Sequence, residues 1–170
     1  MSDSRQGRWC VLVLLAAGVS LAQSCANSSE FRSDTASNHD LAILAMPLSG
    51  QIGGVPWTAK GAVARAELST GSTLFVEAYG EERRRLCTEV GALPPSIILT
   101  VPVTPGNYPF THAINATFLV NDASQTNLAT SHGRLEVSKL DDGTVEIGLN
   151  AEFDEKNRVN GRIAVEVCVE

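Results

Sequence analysis

Hydrophobic and polar positions alternate strictly in the last third of the chain, residues 133–169. In one run every second position is apolar, namely Val145, Ile147, Leu149, Ala151 and Phe153. A second run repeats the pattern with Ile163, Val165, Val167 and Val169. A strand with one buried and one solvated face has this period of two. With turns at Asp142-Gly143 and 154–157, the pattern predicts an antiparallel meander of three strands.

Shorter apolar runs upstream predict further strands that cover this meander. Small residues mark one face of a strand after Gly61, where Ala62, Ala64 and Ala66 alternate with larger side chains. The strand-like runs are 55–58, 61–68, 74–79, 96–103, 116–120 and a bent run over 128–140 with Gly133 at the bend. Residues 105–107 carry turn chemistry. The segment 80–95 breaks the rhythm, because Pro94-Pro95 excludes a helix or a central strand.

The number and spacing of these runs predict an all-β domain. About eight to ten short strands separated by turn signals are typical of a sandwich or a small barrel. No helical pattern of convincing length follows residue 25. We therefore expect a single antiparallel β-sandwich or partly closed β-barrel over residues 41–170.

The N-terminus reads as an export signal over residues 1–24. Arg5 and Arg8 precede an apolar run at 10–21, which is shorter than the roughly 20 residues a membrane-spanning helix needs. Two processing sites compete. Cleavage after Ala22 would release a soluble periplasmic or secreted protein, whereas Ser24-Cys25 resembles the lipoprotein box, in which the cysteine is acylated.

The cysteine count favours acylation of Cys25. Removal of residues 1–24 takes away Cys10 and leaves three cysteines, and an odd number leaves one thiol unexplained in an exported protein. Acylation of Cys25 leaves Cys87 and Cys168, which we expect to form a disulfide in an oxidising compartment. The alternation places Cys168 opposite Val165 and Val167, so the bridge is expected on the outer side or rim of the sheet.

The segment after Cys25 reads as a tether. Residues 26–40 are rich in Ser, Asn, Asp and Thr, and Phe31 is their one aromatic side chain. Such a composition buries too little apolar surface to offset the entropy of ordering. We therefore divide the chain into a signal peptide at 1–24, an acylated cysteine and tether at 25–40, and the β domain.

Several short motifs together resemble a known class of protein. They are Gly53-Gly54, Trp57-Thr58-Ala59, Leu99-Thr100-Val101-Pro102, Pro105-Gly106 with Tyr108, Gly133 with Leu135 and Val137, and Cys168. This combination is similar to small all-β lipoproteins of unknown function from Gram-negative bacteria, over most of residues 48–168. The resemblance implies an exported, lipid-anchored β domain and carries over no catalytic residue.

The charge distribution and a search for metal-binding and catalytic motifs narrow the possible functions further. The formal charge of -6 is spread along the chain and argues against nucleic acid as a partner. The three histidines, His39, His112 and His132, lack metal-type spacing, and no Gly-x-Ser-x-Gly motif is present. We therefore expect no enzyme activity, no cofactor and no bound metal.

Three aromatic residues remain as candidates for ligand contact, Trp57, Tyr79 and Tyr108. A tryptophan beside a strand start either packs into the core or offers a platform for a sugar. Our leading hypothesis is a lipid-anchored protein of the outer membrane or cell surface, which binds or supports an envelope protein or glycan. The alternative is a periplasmic carrier of small molecules or lipids, or a hydrolase, that uses the interior of a barrel.

Overall fold

The computed structural model describes residues 41–83, 87–88, 93–141 and 143–168, and these contain strands and no helix. The signal peptide and tether, including Cys25, Phe31 and His39, lie outside the described residues. The strands are β1 (Ser49–Ile52), β2 (Val55–Thr58), β3 (Gly61–Thr70), β4 (Thr73–Tyr79), β5 (Ser96–Pro102), β6 (Gly106–Pro109), β7 (Ala116–Leu119), β8 (Asn127–Thr130), β9 (Gly133–Asp141), β10 (Thr144–Asp154) and β11 (Asn157–Cys168).

The strands form one curled mixed sheet, a half-barrel. Its order is β6-β9-β10-β11-β3-β4-β5-β7-β8, and the β1–β2 hairpin is attached to β11. Strand β11 is shared, because residues 158–160 pair with β1 and residues 166–168 pair with β3. The prediction of an all-β, partly closed barrel is confirmed.

The C-terminal meander is present as predicted. Strand β10 pairs antiparallel with both β9 and β11, so Ile147 lies between Val137 and Ile163. The side chains of Val145, Ile147, Leu149 and Ala151 are all buried on the concave side. Phe153 departs from the prediction. The register shifts between Glu152 and Asp154, and the ring at this strand end is 47% exposed.

Two other details of the sheet differ from the expectation. Strand β3 pairs with the end of β11 in parallel, with Glu166 opposite Val63, so the sheet is not purely antiparallel. Gly106 and Asn107, read as part of a turn, belong to β6 at the edge of the sheet beside β9. Pairing with β9 makes these residues a strand, which the nearby proline and glycine residues do not predict.

The bent strand expected over residues 128–140 is two strands. Strand β8 pairs with β7, whereas β9 pairs with β6 and β10. The break falls at Ser131 and His132, just before the expected bend at Gly133. Here the Thr130 hydroxyl donates to the Glu152 carbonyl at 2.6 Å, which joins the end of β8 to β10.

One apolar core fills the concave side. Ala62 and Ala64 of β3 are fully buried in it, which agrees with the close approach expected from the small residues. The largest of its fully buried side chains include Leu48, Ile52, Ile97, Leu99, Phe118, Leu135, Ile147 and Leu149. Buried side chains of β1 to β5, β7 and β9 to β11 contribute to this core, so burial of this surface is the main stabilising contribution to the fold.

A short strap, residues 41–48, crosses the convex side of β10 and β11 before β1 begins. The side-chain amides of Asn150 and Asn160 donate to the Ala42 carbonyl at 2.8 and 3.1 Å. Gly161 has φ +139°, and a Cβ there would lie 2.6 Å from the carbonyl oxygens of Met46 and Pro47. Glycine therefore allows the strap to pass this close to β11.

Candidate functional site

The convex face of β3 and β4 carries a buried charge cluster, which we define as Arg65, Glu77, Tyr79 and Arg83. Arg65 Nε donates to Glu77 Oε2 at 2.9 Å, and the Tyr79 hydroxyl donates to the same oxygen at 2.6 Å. The side chains of Arg65 and Glu77 are only 8% and 6% exposed. Glu77 Oε2 thus accepts two strong hydrogen bonds, so its charge is compensated inside the protein.

Arg83 covers this pair from the segment that links β4 to β5. Its guanidinium carbon lies 3.6 Å from the centre of the Tyr79 ring, a cation–π contact. Its Nη2 also donates to Glu81 Oε1 at 3.2 Å, and Glu81 is largely exposed. The cluster therefore reaches from the buried Glu77 carboxylate to the solvent at Glu81.

Cys87, which follows Arg83 between β4 and β5, lies against Cys168 of β11. The sulfur atoms of Cys87 and Cys168 lie 2.10 Å apart, at disulfide-bond distance, and the Cα atoms lie 5.4 Å apart. Cys168 is buried with Val63 and Tyr79 in a small cluster separate from the main core. The bridge was expected on the outer side or rim of the sheet. Cys168 lies on that side, where its side chain is buried.

Burial and hydrogen bonding perturb two groups in the charge cluster. Burial, with a smaller effect of the hydrogen bond to Glu77, raises the pKa of Tyr79 to about 12 from its ordinary 10.0. The hydrogen bond to Glu77 raises the pKa of Arg65 above its ordinary value. Tyr79 therefore stays protonated and Arg65 stays charged at neutral pH.

The Tyr79 shift predicts a loss of stability at alkaline pH. Because the pKa is higher in the folded state than in the unfolded chain, the contribution of Tyr79 is complete below about pH 10 and falls as pH rises toward about 12. We expect Tyr79→Phe to lack this part of the decline. Urea unfolding at several pH values measures this decline. Tyr108→Phe, which removes a hydroxyl outside the cluster, is the control. If the free energy of unfolding fell equally with pH in wild type and Tyr79→Phe, the raised pKa of Tyr79 would be contradicted.

Beside the charge cluster, a shallow cleft of about 300 Å³ opens at the edge of β2. Its lining residues are Pro56, Trp57, Thr58, Lys60, Gly80, Glu81, Leu93, Pro94 and Pro95, and we call it the Trp57 cleft. Apolar walls with Lys60 and Glu81 at the rim can accept a partner side chain with both apolar and polar groups.

The indole of Trp57 lies at the floor of this cleft and belongs to the main core. Its Nε1 donates to the Pro95 carbonyl at 3.1 Å, and a Cβ added to Gly80 would lie 2.7 Å from its Cδ1. The ring is 5% exposed, so little of its face is open to a sugar. Glycine at position 80 is needed because the indole occupies the space of a side chain there.

The three aromatic candidates do not form one site. Trp57 lies in the core beneath the cleft, and Tyr79 lies in the charge cluster on the opposite face of the sheet. The Tyr108 hydroxyl donates to the Thr104 carbonyl at 2.7 Å, which closes the turn before β6. Each of the three polar groups is therefore used within the fold.

The described residues contain no cluster of His, Cys, Asp and Glu side chains suited to a metal ion. His112 is exposed in the loop before β7, and the backbone of His132 lies between β8 and β9. A helix long and apolar enough to cross a bilayer is not found among the described residues.

Comparison of the chain with protein-family models, with curated protein sequences and with solved structures finds no match.

Proposed function

We propose that the protein is a lipid-anchored component of the bacterial cell envelope whose β domain is a non-enzymatic binding or structural module. Its partner in this proposal is an envelope protein or a glycan. The observation that supports a module most strongly is the filled interior, where apolar side chains from most strands occupy the concave side of the sheet. The clefts at Trp57 and on the convex face open directly to solvent.

The filled interior weighs against the alternative of a carrier or hydrolase with an internal binding site. A carrier needs a cavity of several hundred Å³ that encloses most of its ligand. The polar groups of two candidate aromatic residues, the Trp57 indole and the Tyr108 hydroxyl, donate to backbone carbonyls. A binding function is therefore better served by the outer surface, where the Trp57 cleft offers apolar walls and a charged rim.

Two features support an exported address. The N-terminal sequence combines basic residues, an apolar run and Ser24-Cys25, which is the pattern of a lipoprotein signal. Cys87 and Cys168 lie at disulfide-bond distance, and disulfides persist in oxidising compartments such as the bacterial periplasm. Acylation of Cys25 would then leave no free thiol in the mature chain.

Anchoring is tested by acyl labelling. In cells fed with a radiolabelled or alkyne-bearing palmitate, the wild-type chain should incorporate label and fractionate with the membrane. Cys25→Ala should lose the label, because the acylated sulfur is absent, whereas Cys10→Ala should keep it. Label that persists in Cys25→Ala would contradict acylation at this residue, and an unlabelled wild-type chain in the soluble periplasm would favour cleavage after Ala22.

A further inference from the structure

Strand β8 lies at one end of the sheet and directs a row of backbone groups away from its neighbour β7. The Val120 amide donates to the Thr126 carbonyl at 2.9 Å, and hydrogen bonds across an antiparallel pair join every second residue. Leu128 therefore faces β7, whereas Asn127 and Ala129 direct their N–H and C=O groups outward. Both of these residues are exposed, and in the described part of the chain no strand pairs with them on this side. We call these outward groups the β8 edge.

Two other outer strands carry a proline at an outward-facing position. At the end of β2 the Ala59 amide donates to the Leu48 carbonyl, so the same alternation directs Pro56 away from β1. The Phe110 amide donates to β9 just after β6, so Pro109 is likewise directed away from β9. Proline has no N–H to offer to an added strand, and it commonly protects an edge in this way. The β8 edge has no proline and keeps both of its donors.

The path of the chain leaves the place beside β8 open. Strand β6 follows β9 as far as the bond from the Phe110 amide to the Gly133 carbonyl at 2.9 Å. The Thr111 amide then donates to the Ile114 carbonyl at 2.8 Å, a tight turn that takes the chain out of the sheet. A shallow pocket of about 260 Å³ is lined by both this turn and the end of β8, namely by Thr111, His112, Asn115, Ala129, Thr130 and Ser131.

Both ends of β8 are held in place by side chains. The Asp122 carboxylate accepts hydrogen bonds from the Ser124 and Thr126 amides, each at 3.0 Å, and from the Thr126 hydroxyl at 2.8 Å. At the other end the Thr130 hydroxyl donates to the Glu152 carbonyl at 2.6 Å. A strand fixed at both ends loses little further conformational entropy when a partner covers its edge.

The chemistry of the β8 edge selects a polypeptide as the partner. Its donors and acceptors repeat every second residue, a spacing of about 6.6 Å, and the complement is the backbone of another strand. Neither sugar hydroxyls nor acyl chains repeat in this way. The strand has four residues, so pairing along it covers far less than the roughly 1,000 Å² that a stable contact between two copies of the chain needs. We propose that β8 binds a short extended segment of a partner protein by strand addition.

The two faces of β8 indicate which side chains that segment carries. Leu128 packs against the main core, so apolar side chains on that face of an added strand would extend the core. Ala129 lies on the opposite face beside the pocket with His112, Asn115 and Ser131, where a small polar side chain can form hydrogen bonds. The segment thus alternates apolar with small polar residues. This inference rests on the proposed function and deepens it, because it names a protein segment instead of a glycan as the partner.

Hydrogen exchange at the β8 edge tests strand addition directly. The probe is a short acetylated and amidated peptide that alternates valine with serine and carries a lysine at each end. At ten times its dissociation constant the peptide covers the edge about nine-tenths of the time, so exchange of the Asn127 and Ala129 amides should slow about tenfold by NMR. The outward amides of Thr58 and Asn107, on the two strands with prolines, are the controls and should be unchanged. Unchanged exchange at Ala129 with millimolar peptide would overturn the proposal, as would equal slowing at the controls.

Changes in the protein and in the peptide test whether backbone hydrogen bonds carry the binding. Ala129→Pro removes an outward donor and should weaken binding at least about tenfold, whereas Ala129→Ser keeps the donor and should bind as wild type does. With wild-type protein, N-methylation of either the serine amides or the valine amides should abolish binding, and methylation of the other set should leave it intact, because an added strand uses every second N–H. Equal effects of the two methylated peptides would overturn strand addition.

Two further measurements separate this inference from the alternatives. Slow exchange at Ala129 without peptide, together with a doubled mass in sedimentation, would assign the β8 edge to a second copy of the chain and overturn the proposal. The native mass of the protein shows independently whether its interior holds a ligand. An internal ligand would refute the proposed module, whereas unchanged exchange at Ala129 in a protein without such a ligand would overturn strand addition alone.

Discussion

Replacing Cys87 or Cys168 with serine should lower the free energy of unfolding by about 4 to 5 kcal/mol. The bridge would close a loop with a sequence separation of 81, and a cross-link of that length removes much of the conformational entropy of the unfolded chain. The same bond holds Cys87 against the cluster of Val63, Tyr79 and Cys168 on the convex face. A loss of this size is comparable to the whole net stability of a small domain.

Urea unfolding of the two single variants and the double variant measures this effect. Because both single changes remove the same bond, the double variant should be little less stable than either one. Wild-type protein kept under reducing conditions should unfold at the same urea concentration as the variants. Rapid alkylation of both cysteines in the native, unreduced protein would contradict the bridge, and so would single variants as stable as wild type.

Removing the Glu77 carboxylate should be the second most damaging single change. Glu77→Ala leaves Arg65 buried without its anionic partner and leaves the Tyr79 hydroxyl without its acceptor. Breaking one side of a buried ion pair costs about 3 to 5 kcal/mol, because the remaining charge is neither hydrated nor compensated. The combined change of Arg65→Met, Glu77→Leu and Tyr79→Phe should recover most of this loss, since apolar side chains of similar size need no compensation and no buried hydroxyl is left without its acceptor.

The chain offers a matched ion pair as a control. Arg162 donates to both carboxylate oxygens of Glu136, at 3.1 and 2.9 Å, but these side chains are 30% and 27% exposed. Water can replace the lost partner there, so Glu136→Ala should cost about 1 kcal/mol or less. Equal losses of stability for Glu77→Ala and Glu136→Ala would show that burial of the charge cluster does not matter.

The meander and the alanine-rich strand could be predicted because the patterns that specify them lie among neighbouring residues. Period-two alternation from Val145 to Ala151 specifies one buried face, and Ala62 and Ala64 indicate close packing. The parallel pairing of β3 with β11 could not be predicted in this way. It joins Val63 to Glu166, whose positions are far apart in the sequence, and it depends on how the whole sheet curls.

The charge cluster was missed for a related reason. Alternation correctly separates Arg65 from the alanine face, but solvent is the ordinary surrounding for an arginine on the outer face of a strand. Its cover comes from elsewhere in the chain. Arg83, in the segment that links β4 to β5, lies over the ring of Tyr79, which shares Glu77 with Arg65. Arg65 and Glu77 are diagonal neighbours on the outer face of the β3–β4 hairpin, and opposite charges on one face of a predicted hairpin are the one signal that could have suggested an ion pair.

The central claim, a module with a filled interior that acts through its surface, is tested most directly by native mass spectrometry. The protein is purified from cell envelopes and freed of detergent in the gas phase. Its native mass is then compared with its mass after unfolding. We expect both masses to equal the chain from Cys25 onward, less two hydrogens for the disulfide, plus the acyl group on Cys25, because apolar side chains of the described residues pack into the interior where a guest would lie. A stoichiometric small molecule or lipid that is released only on unfolding would contradict the module and establish an internal binding site.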